Sequence, residues 1–217
     1  MYYFFNKLME QSFFNYDLRP NFSMNDYFVG TSNNEAYNLL INTKNINNLF
    51  LIGPSKSGKT HLSFIWQKKF NAIIFDSNIK EILQNTSNVI IDNIFDNINE
   101  EEIFHIINHC SSVNSKILVT SNIKLNEYAF QLKDLSSRLK TFININIYLP
   151  DDELLINLMT KLFHDKQIIV KNPEIFHYII KRVDRSYEKI FYLIDKIDNL
   201  LMKKNKQLTI PIIKELI

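Results

Sequence analysis

The 217-residue chain carries 25 basic and 23 acidic side chains, a net charge of +2, so charge alone gives no reason to expect nucleic acid or another polyanion as partner. Hydrophobic residues make up 46% and charged residues 22%, an ordinary globular balance that supports a packed core in one domain, or in one medium domain plus a small one. The single cysteine, Cys110, excludes an internal disulfide and suits a reducing, cytoplasmic setting; residues 1–9 lack the basic start and apolar stretch of a signal peptide, and no run approaches the roughly 18 apolar residues of a membrane span.

Residues 1–25 are aromatic-rich and aperiodic and read as an irregular arm. The stretch 32–42 reads as a helix, with Ser32 as its cap and Ala36, Leu39 and Leu40 on its apolar face. Short apolar runs recur at 49–52, 72–75, 89–91, 117–119 and 143–148, with helical stretches such as 59–69 and 100–110 between them. Strand–helix alternation of this kind predicts an α/β domain over 26–150, a parallel sheet flanked by helices. Pro150 ends the alternation. Beyond it the spacing predicts a helix opening at Asp151-Asp152 with Leu154, Leu155, Leu158 and Leu162 on one face. A second follows Asn172-Pro173, a third carries Tyr187, Ile190, Ile194, Ile197 and Leu201, and a short last one opens at Thr209-Ile-Pro211. Residues 168–170 are the only strand-like run after 150, so 151–217 reads as a small helical domain.

The chain holds three glycines, and two of them lie in Gly53-Pro-Ser55-Lys-Ser57-Gly58-Lys59-Thr60, directly after the first strand and at the start of a helix. That context makes the run a phosphate-binding loop. The glycines let backbone N–H groups turn inward around phosphate oxygens, the helix N-terminus adds partial positive charge, Lys59 reaches the β- and γ-phosphates, and the Thr60 hydroxyl serves Mg²⁺. The strand over 89–91 leads to Asp92, placed to hold the Mg²⁺ shell. Asn93 follows; a neutral amide orients water but cannot take its proton, so weak intrinsic hydrolysis is expected, with Asp96 too displaced to substitute. The strand over 117–120 ends in Ser121-Asn122, where a polar side chain would lie near a γ-phosphate. His105, His109 and Cys110 lack further ligands at metal spacing and read as a helix face, and no neighbour lowers the Cys110 pKa enough for a nucleophile.

Taken together, these runs resemble the DnaA-type AAA+ proteins over nearly the whole chain, and more closely the Hda-like regulators of the replication initiator in their alphaproteobacterial form. The resemblance is carried by Phe28-Val29-Gly30-Thr-Ser-Asn33-Asn-Glu-Ala36 before the loop, by His61-Leu62 and Ile65-Trp66 after it, by Leu135-Ser-Ser137-Arg138-Leu139, and by Leu208-Thr-Ile-Pro211 near the end. It implies an AAA+ αβα sandwich followed by a helical lid, with ADP or ATP and Mg²⁺ as cofactors. It implies that Phe28 and Val29 line the adenine pocket, that Ser55, Ser57 and His61 belong to the nucleotide site, and that Arg138 is an arginine finger acting in trans on nucleotide held by the initiator. It also implies that Gln11, Phe13 and Phe14 form a short peptide for the sliding clamp, and it leaves room for homo-oligomers. The initiator carries a further DNA-reading domain; this chain stops at Ile217, so no sequence-specific DNA binding is expected. One departure stands out: the alignment puts Glu188 where the family has a lid arginine, leaving Arg185 or Lys189 as substitutes.

Two other functions compete with a regulatory one. An autonomous AAA+ ATPase, a helicase loader or DNA-remodelling factor, would turn over ATP by itself, and Asn93 speaks against it. A small-molecule kinase would need an arginine-rich lid, whereas only Arg138, Arg182 and Arg185 follow the loop.

Overall fold

The apolar runs pair as five parallel strands: β1 (Asn48–Ile52), β2 (Ala72–Ile74), β3 (Asn88–Ile91), β4 (Ile117–Ser121) and β5 (Ile143–Asn146), in the order β2-β3-β4-β1-β5. The structure, a computed structural model, describes residues 22, 24–42, 46–96, 98–204 and 207–217. The strands are apolar at consecutive positions because helices cover both faces of the sheet. Residue parity decides which face is served. Leu49, Leu51, Ile90, Leu118 and Ile145 pack against α1 (Asn34–Asn42) and α2 (Lys59–Phe70) through Ala36, Leu40, Ile41, Leu62, Ile65 and Trp66. Phe50, Val89, Ile91, Ile117 and Val119 face the other way, onto α3 (Ile79–Leu83), α4 (Glu100–Ser112) and α5 (Lys133–Leu139). The result is the αβα sandwich that the strand–helix alternation predicts.

Beyond Pro150 the chain is helical: α6 (Asp152–Asp165), α7 (Glu174–Ile180), α8 (Tyr187–Lys204) and α9 (Ile210–Lys214). Asp151 caps α6 by accepting from the Leu154 N–H at 2.7 Å, and Asn172 accepts from the Glu174 N–H at 2.9 Å, with Pro173 between cap and helix. Leu155, Met159, Phe163, Ile175, Ile179, Ile190, Ile194, Ile197 and Ile213 close a separate core. Three residues of this helical part serve the other core: Leu154, Tyr187 and the partly buried Leu158 pack with the sheet's α1–α2 side.

Local differences from the sequence reading have identifiable causes. Ser32 does not cap α1; it is buried, its hydroxyl meeting that of Tyr187 at 3.1 Å, while the Asn33 side chain closes the preceding turn by accepting from the Gly30 N–H at 2.8 Å. β5 stops at Asn146 because the Tyr148 N–H turns away to the Ser32 carbonyl, at 2.9 Å. Residues 168–170 form no strand. Gln167 takes a left-handed φ of 56°, and the Ile168 N–H returns to the Phe163 carbonyl at 2.8 Å, which closes the end of α6.

Candidate functional site

The loop between β1 and α2 is fastened at both ends. The Gly53 N–H donates to the Ser121 carbonyl (3.1 Å) and the Ser57 N–H to the Pro54 carbonyl (3.2 Å). Lys56 and Gly58 adopt φ of 62° and 89°, turning the backbone inward. A Cβ on Gly53 would lie 2.9 Å from both the Ile147 Cβ and the Ser57 hydroxyl, and one on Gly58 would lie 3.0 Å from the Tyr27 ring. Both positions therefore require glycine, the second also for its dihedral. The Ser57 hydroxyl is buried with no hydrogen-bond partner, and Ser55 is half-buried beside it.

Lys59 lies across this loop. The residue is 5% exposed, and its ammonium donates to the carbonyls of Gly53 and Pro54, both at 2.9 Å, and to the Asn122 side-chain oxygen at 2.6 Å. All three acceptors are neutral. Burial pushes its pKa down to about 8, although the charges of Asp92 and Asp96 pull the other way. A buried cation held only by neutral oxygens, under inward-turned amides at a helix N-terminus, is a seat for an anion. Next to it, the Thr60 hydroxyl donates to one Asp92 carboxylate oxygen at 2.8 Å, and the Thr120 hydroxyl donates to the other at 2.5 Å. A hydroxyl and a carboxylate are oxygen donors of the kind Mg²⁺ takes while keeping waters. Among the described residues no group of three or more His, Cys, Asp or Glu is placed to hold a metal ion, so the rest of such a shell would come from water and the anion itself.

Asn122, expected at the strand end near a γ-phosphate, reaches Lys59 directly. Thr120 and Tyr27 are the residues the sequence reading missed. Thr120 looks like any β-former within an apolar strand, and only the β3–β4 pairing sets its hydroxyl beside Asp92. The His61 ring packs edge-on against Tyr27 and Phe22, with centroids 5.2 and 5.4 Å apart. Phe28 and Val29 are exposed, and Val29 lines a cleft of about 290 Å³ with Thr31, Asn34, Asp151, Leu154 and Asn157.

On the lid side, Arg185 pairs with Asp152 at 3.0 Å and Lys189 with Asp184, so both candidate lid cations are engaged by neighbouring acids. The Lys56 ammonium of the β1–α2 loop lies over the Phe191 ring of α8, 5.7 Å from its centroid. Arg138 sits in the last turn of α5, exposed, between the buried Leu135 and Leu139; among the described residues no carboxylate pairs with it. Glu100 fixes the start of that helix by accepting from the N–H groups of Gln131 (3.1 Å) and Leu132 (2.6 Å). Gln11, Phe13 and Phe14 lie outside the described residues. Cys110 is buried, which raises its thiol pKa, and His109 meets the Asn85 carbonyl at 2.8 Å. Among the described residues no helix is long and apolar enough to cross a membrane.

Comparison with known proteins agrees with this architecture. Residues 155–217 match the family model for the lid domain of Hda. The chain is 25% identical to the chromosomal replication initiator protein DnaA of Aliarcobacter butzleri (strain RM4018), covering 92% of this chain and 52% of that protein. It is likewise 25% identical to DnaA of Wolinella succinogenes, over 92% of this chain and 53% of that one. The chain thus spans about half the length of the curated relatives it matches. Its fold superposes on domain III of Thermotoga maritima DnaA with a TM-score of 0.75 at 17% identity, covering 91% of this chain and 96% of that one. AMPPCP-bound DnaA from Aquifex aeolicus gives 0.63 at 18% identity, over 85% and 67% of the two chains. The Thermotoga maritima RuvB Holliday junction branch migration motor gives 0.59 at 15% identity, over 85% and 65%.

Proposed function

We propose that this protein, DnaA-type AAA+ in its fold and Hda-like in its lid, binds adenine nucleotide around Lys59 and regulates a DnaA-type replication initiator by provoking ATP hydrolysis there, together with the sliding clamp. The observation that carries the nucleotide site is the Lys59 ammonium, buried against three neutral oxygens beside the Thr60–Asp92 pair. The AMPPCP bound in the Aquifex aeolicus relative supports adenine as the base.

In this reading Lys59 exchanges its carbonyl partners for phosphate oxygens, and the loop amides and the unpartnered Ser57 hydroxyl add donors. Thr60 and Asp92 would hold Mg²⁺, which would supply charge neutralisation for the phosphates. Phe28 and Val29 flank the base, and Arg185 joins the site by leaving Asp152, an exposed pair whose rupture costs about 1 kcal/mol or less. Asn93 orients water without deprotonating it, so the chain turns over its own nucleotide slowly and acts chiefly as a nucleotide sensor. Arg138 reaches across to the initiator's nucleotide, where a planar, permanently charged guanidinium stabilises the transferring phosphoryl group. Residues 1–25 act as the arm, 26–150 as the nucleotide-binding domain and 151–217 as the lid.

One observation favours autonomous hydrolysis instead: Asp96 lies close enough to Lys59 to act on its charge, and so brings a carboxylate near the site. A hydrolysis assay of the protein alone, with initiator, and with initiator plus clamp-loaded DNA separates the two readings. Turnover rising only in the mixtures supports the regulator; equal turnover by the isolated protein overturns it. Replacing Gln11 and Phe14 with alanine is expected to weaken capture on immobilised clamp about tenfold or more. Unaltered capture would remove the arm from the reading.

A further inference from the structure

Thr120 does two things at once at the end of β4. Its hydroxyl donates to Asp92 Oδ1 at 2.5 Å and accepts from the Asn93 N–H at 2.8 Å. Its carbonyl accepts from the Ile94 N–H at 2.9 Å. The side chain is fully buried, on the same face of the strand as Leu118, the face covered by α2. Asp92 Oδ2 is left to Thr60. The turn following β3 also depends on this hydroxyl, since Asn93 holds a left-handed φ of 49° with its N–H aimed at Thr120.

We infer that Thr120 is a positioning residue for the metal side of the nucleotide site: it locks one Asp92 oxygen so that the other faces Thr60 and the cation, and sets the Asn93 turn in the same step. The inference rests on the nucleotide–Mg²⁺ reading above. The chemistry supports it. A carboxylate that must serve a cation loses affinity when free to rotate, and partners that orient a metal-binding carboxylate typically matter about 10–100-fold. Valine has the shape and strand preference of threonine but neither donates nor accepts, so the exchange removes both bonds while leaving the strand's packing nearly intact.

The test is isothermal calorimetry of ATP binding to the full chain, in saturating Mg²⁺ and in EDTA, for the parent, Thr120→Val and Thr120→Ser. The expected result is about tenfold weaker binding by Thr120→Val in Mg²⁺, an affinity in EDTA matching the parent, and recovery by Thr120→Ser. The effect should vanish in an Asp92→Asn background, where the carboxylate has already gone. Equal affinities for Thr120→Val and parent in Mg²⁺ would overturn the inference, as would an equal loss with and without metal, the mark of a purely structural role. A parent that binds no nucleotide at all brings down the site reading itself, and this inference with it; a parent that binds beside an unaffected Thr120→Val sinks Thr120 alone. Should Thr120→Val fail to fold, Thr120→Ser against Thr120→Ala reads the same difference.

Discussion

Two cations on different connections of the sheet meet opposite surroundings. Lys59 is buried, its proton loosened by desolvation and its three donors spent on neutral oxygens of its own surroundings. Arg138 is exposed on a helix pinned by Leu135, Leu139 and the Glu100 carboxylate, with no acid pairing with it among the described residues. The lysine's polar partners all come from the chain itself. In the proposed reading the first is a binding group and the second a presented one, which a lysine could not replace without losing the planar fork.

The sharpest break of this contrast is Arg138→Ala. It is expected to lower stimulation of the initiator's hydrolysis by roughly a thousandfold and to leave the chain's own nucleotide affinity unchanged; steady-state hydrolysis with initiator and clamp, beside calorimetry, reads both. Lys59→Ala should do the reverse, weakening nucleotide binding about a hundredfold, the loss of one or two charge-assisted hydrogen bonds, and undiminished affinity would remove the lysine from the site. Gly53→Ala tests the loop's close packing. A methyl group 2.9 Å from Ile147 must displace it, and a loss of about 1–3 kcal/mol, a melting point lower by roughly 3–10 °C, is expected in a thermal scan.

The smallest effect is the pH response. With the folded Lys59 pKa at about 8, below the usual 10.5, nucleotide binding at pH 9 must first return a proton. Calorimetry in buffers of different ionisation enthalpy should find uptake of about one proton there and little below neutrality. Uptake independent of pH would show that the lysine is not the group being recharged. The sign for folding is opposite: a depressed lysine pKa favours the folded state fully above 10.5, and that contribution fades as pH falls through about 8.

Much of the candidate site lies within reach of spacing alone, because a glycine loop between strand and helix is local in sequence. Gly53, Gly58, Lys59 and Thr60 lie within eight residues, and Asp92 and Asn122 each directly follow a strand that apolar runs announce. What escaped reading depends on pairing between distant segments. Thr120 joins Asp92 only through the register that sets Ile91 beside Val119. Ser32 has every mark of a helix cap, yet it serves Tyr187, 155 residues away. Arg185 pairs with Asp152, on another helix, a contact that spacing along the chain does not announce. The helices α3 and α5, of five and seven residues, are too short to show a period, and α5 is held by a Glu100 bond from another element.

Tyr187 opens α8, yet it is 4% exposed within the sheet's core, with its hydroxyl on Ser32 and the Tyr148 carbonyl. From Ile190 onward the same helix fills the lid's interior. A single rod thus has its foot in one cooperative unit and its shaft in another. In amide hydrogen exchange its first turn should be protected to the degree of β1, and its later turns to the degree of α6. Uniform protection along the rod would mean that lid and sheet open together. If the split holds, a crowbar is built in: any tilt of the lid levers directly on the Ser32 segment beside the exposed Phe28 and Val29.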